Sequence, residues 1–263
     1  MSSPSATFTV WSASWLAGDT APDDVIDALA AWAPMHLIGA ADEETATRHD
    51  LAWPAVTASG ASTLLRIARS VAPEVRLVLP TAGDVRGLPA GTAFSQAAIA
   101  AGEGIQIGAV GEPGIGLVPS VEGPDVLRWT VFSVPSVTER ADAPGLREAE
   151  YELRQAVRDA ADVLGALPTV ATGAAGTDPR TLVAEALHAQ EQYRWPAALP
   201  PRNLQVLDTA DNIAAILAVA ASTTTNQAPS VSTAQTRDDL LRRLWDVVRA
   251  ARIAAANSVS IRA

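Results

Sequence analysis

The sequence predicts an α+β protein, with a mixed α/β N-terminal part and a mostly helical C-terminal part. Three observations favour this fold class. Short apolar runs alternate with amphipathic segments up to about residue 80, and glycine, proline and short apolar runs dominate residues 81–134. After Pro135 the apolar residues recur at helical spacing. We therefore expect a sheet domain over residues 1–135 and a helical bundle domain over residues 144–263, packed on it.

The N-terminal elements begin with a predicted strand over residues 7–16, which is rich in Val, Thr and Trp. A helix is expected next, opened by Pro22 and by acidic residues in its first turn. Residues 35–38 form the following predicted strand, which makes a parallel βαβ unit plausible. The alternation continues with a helix over residues 59–71 and a strand over residues 75–79.

Short strands are predicted across the glycine-rich middle of the chain. They are expected at residues 105–110, 115–118 and 126–134, with a helix at residues 94–101. The glycines of residues 102–116 invite a phosphate-cradle interpretation, but no G-x-G-x-x-G lies between a strand and a helix. Glu103 and Glu112 would also repel a phosphate. Turns between antiparallel strands are therefore the preferred interpretation.

The C-terminal part contains the clearest helix of the sequence. Its apolar stripe is formed by Leu146, Ala149, Leu153, Ala156, Val157, Ala160, Leu164 and Leu167. Further helices are predicted over residues 177–192 and 203–221, the second apolar on nearly every side and therefore buried. Residues 222–236 form a polar tract that we expect to be a mobile loop. A capping box at Ser232 or at Thr236 is expected to begin the last helix.

Composition excludes several kinds of chemistry. The chain has 29 acidic and 19 basic residues and a net charge of −10, which opposes binding to nucleic acid or to anionic membranes. It has no Cys, and all its basic residues are Arg. Disulfides, thiolate metal sites, a Walker-A lysine and a lysine Schiff base are therefore excluded. We expect no cofactor and no bound metal.

The location of the protein is predicted to be cytoplasmic. The N-terminus has no basic segment before an apolar run, as a secretory signal would. The most apolar stretch, residues 213–221, is shorter than the roughly 20 residues that cross a bilayer. We therefore expect no membrane partner.

The turn of residues 83–87 is the leading candidate site. It follows a predicted strand, and it sets the carboxylate of Asp84 two residues from the guanidinium of Arg86. Glu103 is the third candidate catalytic residue. The alternative is structural, because an Asp often bonds its own turn and an exposed Arg often pairs with a neighbouring acid.

The histidines and tryptophans have both functional and structural interpretations. His36, His49 and His188 lie outside any metal-binding motif and are interpreted as core or surface residues. The tryptophans at positions 11, 15, 32 and 53 could line an aromatic ligand pocket, although aromatic residues on a sheet face are more often core.

The predicted last helix is rich in arginine. Its possible cationic ridge consists of Arg237, Arg242, Arg243, Arg249 and Arg252. Such a ridge is usually a solvated face, or here a docking surface for the acidic N-terminal part.

From Gly83 to Ala256 the sequence is similar to a family of uncharacterised proteins from actinobacteria. The resemblance lies in the Gly-Asp-Val-Arg-Gly-Leu-Pro turn from Gly83, the Gly-Leu-Val-Pro strand from Gly116, the Leu-Arg-Trp strand from Leu127 and the helix that begins at Arg147, together with the Arg-rich last helix. The resemblance implies a bacterial protein and no particular activity.

The sequence therefore leaves the function unknown. Our first hypothesis is a non-catalytic cytoplasmic protein that acts through protein–protein contacts, as a homo-oligomer or with another protein, through its amphipathic helices. The alternative is a small-molecule-binding protein or enzyme with a site at the turn of residues 83–87. Nucleic-acid binding through the last helix is a third, less favoured class because of the net charge.

Overall fold

The computed structural model describes residues 3–54, 56, 60–71, 74–139, 141–166, 179–223 and 231–259. Within these residues the helices are α1 (Pro4–Leu16), α2 (Pro22–Ala30), α3 (Glu43–His49), α4 (Ser62–Val71), α5 (Ala93–Ala101), α6 (Leu146–Ala166), α7 (Pro179–His188), α8 (Pro201–Thr223) and α9 (Val231–Asn257). The strands are β1 (Met35–Ala40), β2 (Val75–Val78), β3 (Gly104–Ile107), β4 (Gly114–Gly123) and β5 (Val126–Val134). This arrangement confirms the α+β fold class.

The first element is a helix, so the predicted strand over residues 7–16 is wrong. The Ser3 side chain caps α1 by accepting a hydrogen bond from the backbone N–H of Ala6, and Pro4 occupies the first turn. Most residues of α1 are buried, including its Val and Thr residues. Burial of this kind outweighs the β propensity of those residues, which is only a weak preference.

The five strands form one mixed sheet in the order β1-β5-β4-β3-β2. Only β1 and β5 are parallel, and the other neighbours are antiparallel. The predicted βαβ unit is therefore wrong, because α2 has no strand before it and β1 pairs with a strand far along the chain. The glycine-rich segment turns between antiparallel β3 and β4, as expected, with Gly108 and Gly111 at positive φ.

The two faces of the sheet carry different hydrophobic clusters. One cluster joins α1, α2 and α4 to the sheet and includes Phe8, Leu29, Leu64, Ile105, Leu117 and Trp129. The other consists of Val78, Phe94, Ala98, Val118, Phe132 and Val134. Alternation along β5 produces this division, since successive side chains of a strand point to opposite faces.

The outer edge of β2 is covered by a side chain instead of a strand. Asn257, the last residue of α9, accepts a hydrogen bond from the Leu77 N–H at 2.7 Å and donates one to the Leu77 carbonyl at 3.1 Å. These two bonds are the ones that a neighbouring strand would make. The amide of Asn257 therefore satisfies the exposed backbone at the middle of this edge.

The chain divides into two compact units. The sheet unit contains Ser2–Asp142 together with two later stretches, Tyr193–Pro200 and Ala256–Ala263. The helical unit contains Ala143–Gln192 and Pro201–Ala255. The connection between α7 and α8 therefore belongs with the sheet, although the helices on either side of it do not.

The helical unit differs from the sequence predictions in two ways. Val157 of α6 and Ile216 of α8 are exposed, although both were expected to face inward. The predicted mobile loop over residues 222–236 is too long, because α8 ends at Thr223 and α9 begins at Val231, while residues 224–230 lie outside the described part of the chain. Both capping boxes considered for the last helix therefore fall inside α9.

One helix in the described part of the chain, over Pro201–Ala221, is long and apolar enough to span a membrane by length and composition alone. The same helix makes polar contacts with α9. Asp211 pairs with Arg252, and Asn203 donates a hydrogen bond to the Ala255 carbonyl at 2.7 Å. Such contacts, with a buried Leu207 and Ala214, are also typical of a core helix in a bundle.

Candidate functional site

The turn of residues 83–87 is closed by its own backbone. Thr81 and Asp84 exchange N–H to carbonyl hydrogen bonds at 3.0 and 2.9 Å. Gly83 has a φ of +88°, a conformation that favours glycine and permits the reversal. This geometry places the Asp84 side chain beside the residues that follow it.

Arg86 is held by two carboxylates at this turn. Its Nε donates to Asp84 Oδ1 at 2.9 Å and its Nη2 donates to Asp84 Oδ2 at 3.1 Å. Nη1 forms an ion pair with Asp142. The hydrogen bond to Asp84 raises the pKa of Arg86, so the side chain is a permanent cation. The side chain is 54% exposed, and each of its three nitrogens already donates to a carboxylate of the protein.

Glu103 is engaged at the start of α1. Its Oε2 accepts a hydrogen bond from the Ser5 N–H at 2.9 Å, in the first turn of that helix. Burial raises the pKa of Glu103, while the hydrogen bonds to Ser5 and Ser3 lower it. A carboxylate at this position complements the helix dipole, which gives Glu103 a structural role apart from any role at the turn.

A buried glutamine fixes the end of the turn, and the sequence analysis missed it. Gln106 of β3 donates to the Gly87 carbonyl at 2.7 Å and accepts from the Thr138 N–H at 3.0 Å. Thr138 Oγ1 also donates to the Gly87 carbonyl, at 2.8 Å. The available signal was a polar residue between the two buried isoleucines Ile105 and Ile107. These bonds make the turn a rigid part of the sheet unit.

His36 is a satisfied core residue. Its Nδ1 accepts a hydrogen bond from the Trp129 indole N–H at 3.1 Å, and its Nε2 lies 3.2 Å from the Leu29 carbonyl. Burial lowers the pKa of His36, so the ring is neutral with its proton on Nε2. Among the described residues, no three His, Asp or Glu side chains are grouped as a metal site.

The four tryptophans considered for a ligand pocket separate into two groups. Trp11, Trp15 and Trp32 pack against the core cluster of the sheet unit, whereas Trp53 is exposed. Trp32 stacks on Tyr193 with ring centroids 3.8 Å apart, and the Trp11 indole donates to the Arg194 carbonyl at 2.9 Å. These rings bind the Tyr193–Pro200 stretch to α1 and α2, so they serve packing.

Three arginines of α9 are paired inside the helical unit. Their ion pairs are Arg242 with Asp239, Arg249 with Asp246 and Arg252 with Asp211. Arg243 is exposed, and the Arg237 side chain lies outside the described residues. Arg242, Arg249 and Arg252 are therefore paired with acids of their own unit. Docking of this ridge on the acidic N-terminal part stays a prediction.

The helical unit exposes large apolar side chains. Tyr151 of α6 is 61% exposed and Ile216 of α8 is 52% exposed. Leu204 of α8 is exposed as well. A shallow, open depression on the sheet unit is lined by polar residues of α3, namely Glu43, Glu44, Thr47 and Arg48. Single exposed apolar side chains are common on soluble proteins, so these three side chains are candidate contact residues and not a defined patch.

Two family models match almost the whole chain. The N-terminal domain of the Rv1486c-like proteins matches residues 5–146, and the C-terminal domain matches residues 147–253. The chain belongs to the Rv1486c-like family. Similarity to uncharacterised actinobacterial proteins was expected from the sequence, and this match confirms it.

Relatives of the Rv1486c-like chain occur in mycobacteria. The uncharacterized protein Rv1486c of Mycobacterium tuberculosis H37Rv is 40% identical over 284 residues, which cover 97% of this chain and 96% of that protein. The uncharacterized protein ML1804 of Mycobacterium leprae is 36% identical, with 97% of each chain covered. The uncharacterized protein MAV321 of Mycobacterium avium is 34% identical, again with 97% of each chain covered. No solved structure matches the chain. These Rv1486c-like relatives therefore leave the function unknown.

Proposed function

We propose that this chain is a non-catalytic cytoplasmic protein that acts through contacts with other proteins. The observation that carries the proposal is the exposure of Tyr151 and Ile216 on the helical unit. Covering such side chains with a partner removes apolar area from water, which contributes roughly 25 cal/mol per Å² to association. Aromatic residues such as Tyr are also enriched at protein interfaces.

The engagement of the reactive side chains supports the same proposal. Arg86 is paired with Asp84 and Asp142, Glu103 accepts from the start of α1, and His36 is bonded on both ring nitrogens. General acid–base catalysis needs a group within hydrogen-bond reach of a substrate. These groups instead bond to other parts of the protein.

The proposal is tested by capturing partners from extracts of the native cells. Immobilised protein should retain at least one protein that is lost when Ile216→Ser or Tyr151→Ser is used instead. Val121→Ser is the matched control, because Val121 is 76% exposed but lies at the β4–β5 hairpin of the sheet unit. A wild-type chain that sediments as a monomer and retains no partner would contradict the proposal.

The cytoplasmic part of the proposal has its own test. Fractionation of native cells should recover the protein with the soluble proteins, and washing of the membranes with high salt should release no more of it. Recovery in the membrane fraction after such washing would contradict this part and would direct attention to the apolar α8 helix.

A further inference from the structure

Two arginines of the helical unit converge on one buried carboxylate. Glu150 of α6 is buried, with 11% of its side chain exposed. Its Oε1 forms an ion pair at 3.0 Å with Nη2 of Arg154, which lies one turn later in α6. Its Oε2 accepts a hydrogen bond from Nε of Arg202, in α8, at 2.9 Å. One acid therefore holds two guanidinium groups from different helices side by side.

Each arginine uses only one nitrogen in this contact. Nε and Nη1 of Arg154 and both Nη nitrogens of Arg202 donate to no acceptor in the described part of the chain. The two side chains are 57% and 45% exposed, so these donors are open to solvent. Arg86 differs from both, because each of its three nitrogens donates to a carboxylate.

The cluster is positively charged, although the chain as a whole has a net charge of −10. Two guanidinium groups against one carboxylate leave one positive charge. Glu150 is the buried member and the arginines are the exposed members, so an approaching anion meets the guanidinium groups first. Because Glu150 already orders both side chains, little further conformational entropy is lost when they bind a ligand.

We propose that Arg154 and Arg202 form a binding site for an oxyanion, namely a phosphate or carboxylate group of a small molecule. The anion accepts hydrogen bonds from the free nitrogens of both side chains, on their exposed side. The planar guanidinium group presents pairs of N–H donors that match the oxygens of either group. This site goes beyond the proposed function, because it requires no partner protein.

Titration of the full-length protein with sodium phosphate at constant ionic strength tests this site. The amide and arginine Nε resonances of the wild type should show a saturable shift. Arg154→Gln and Arg202→Gln should each weaken binding by about 10-fold or more, because each removes charge-assisted hydrogen bonds to the anion. A parallel titration with sodium succinate distinguishes the two ligand classes, since the ion that binds more tightly indicates a phosphorylated or a carboxylated molecule.

Arg242→Gln is the matched control. It removes the same charge from another exposed, ion-paired arginine of the helical unit. Ala255 of α9 accepts a hydrogen bond from Asn203, the residue that follows Arg202. Arg242 lies about 20 Å along α9 from Ala255, at 1.5 Å per residue. The control should therefore bind both ions like the wild type.

Wild-type protein without a saturable shift for either ion overturns the site. Gln variants that are folded by circular dichroism and bind like the wild type overturn it as well, as does an equal loss in Arg242→Gln. Arg154→Lys or Arg202→Lys replaces a Gln variant that does not fold, and it should also bind more weakly, because lysine keeps the charge and lacks the planar donor pair. None of these outcomes bears on the capture of partner proteins, so the proposed function is tested separately.

Discussion

At the scale of single residues, His36 shows how burial and hydrogen bonding fix a titratable group. Nδ1 accepts from the Trp129 indole and Nε2 donates to the Leu29 carbonyl. A second proton could only be placed on Nδ1, where it would oppose the indole N–H. Burial also lowers the pKa of His36 below its ordinary value, because the charged form loses its hydration.

The lowered pKa of His36 predicts a stability that falls with acidification. The unfolded state binds a proton near pH 6.5, whereas the folded state binds it only at lower pH. The free energy of unfolding should therefore fall as the pH decreases from about 6.5 towards the folded pKa, and rise in the opposite direction. His36→Gln should lose about 1–3 kcal/mol near pH 7 and show a smaller fall on acidification.

Urea unfolding at about pH 7.5 and about pH 5 measures this difference. Burial, Arg48 and Arg66 lower the pKa of His49 as well, so His49→Gln is the control for a second histidine. The raised pKa of Glu103 makes the free energy of unfolding rise on acidification. This contribution is the same in every variant, so it does not affect the comparison between them. An unchanged pH dependence in His36→Gln would show that the Trp129–His36 bond does not control protonation.

At the scale of secondary-structure elements, α5 depends on a glycine in β4. A Cβ atom built on Gly116 would lie 2.2 Å from the Phe94 ring, and Phe94 is fully buried on this face of the sheet. The ring cannot move aside without displacing its neighbours, because protein interiors are close-packed. The glycine therefore sets the distance between helix and strand.

Gly116→Ala should reduce the free energy of unfolding by about 2–3 kcal/mol, since the added methyl overpacks the site. Phe94→Leu in the same chain should recover part of that loss, because the smaller side chain makes room. Gly123→Ala is the matched control in the same strand, with no atom within 4 Å of the added Cβ. Thermal or urea unfolding measures all three, and equal effects of the two alanine substitutions would refute the steric argument.

Local patterns in the sequence predicted elements better than connections. The helix opened by Pro22 and the strand β5 follow from apolar spacing and turn residues. The short helix α3 was missed because Glu43–His49 has no apolar stripe, although Asp42 caps it. The helix α1 was missed because its Val and Thr residues are typical of a strand, although Ser3 caps a helix that begins at Pro4.

Contacts between distant residues were beyond local patterns. The pair of Asp84 with Arg86 was foreseen as the structural alternative, because both residues belong to one turn. The parallel pairing of β1 with β5 and the bonds of Gln106 to Gly87 and Thr138 depend on the folded topology. No spacing rule within a single sequence reports such contacts.

At the scale of the whole molecule, the sheet unit is assembled from stretches that are far apart in the chain. Tyr193 stacks on Trp32, and Asn257 bonds to the backbone of Leu77. The stability of the sheet edge therefore depends on the end of the last helix.

Asn257→Ala should reduce the free energy of unfolding by about 1–3 kcal/mol, because the Leu77 N–H and carbonyl lose both partners. Amide hydrogen exchange at Leu77 should accelerate as well. Asn212→Ala is the matched control, since Asn212 is exposed and bonds only to the Asp208 carbonyl of its own helix. Equal protection of Leu77 in wild type and Asn257→Ala would disprove the role of the amide at this edge.

The same amide contact has a consequence for biosynthesis. Leu77 and Asn257 are 180 residues apart in the chain. Because ribosomes add about 5–20 residues per second, about 10–40 seconds separate the synthesis of Leu77 from that of Asn257, whose side chain covers the edge of β2. During that time the edge is open to strands of neighbouring nascent chains. Chains that end shortly before residue 257 would leave the edge of β2 permanently uncovered. We expect cellular quality control to remove such chains.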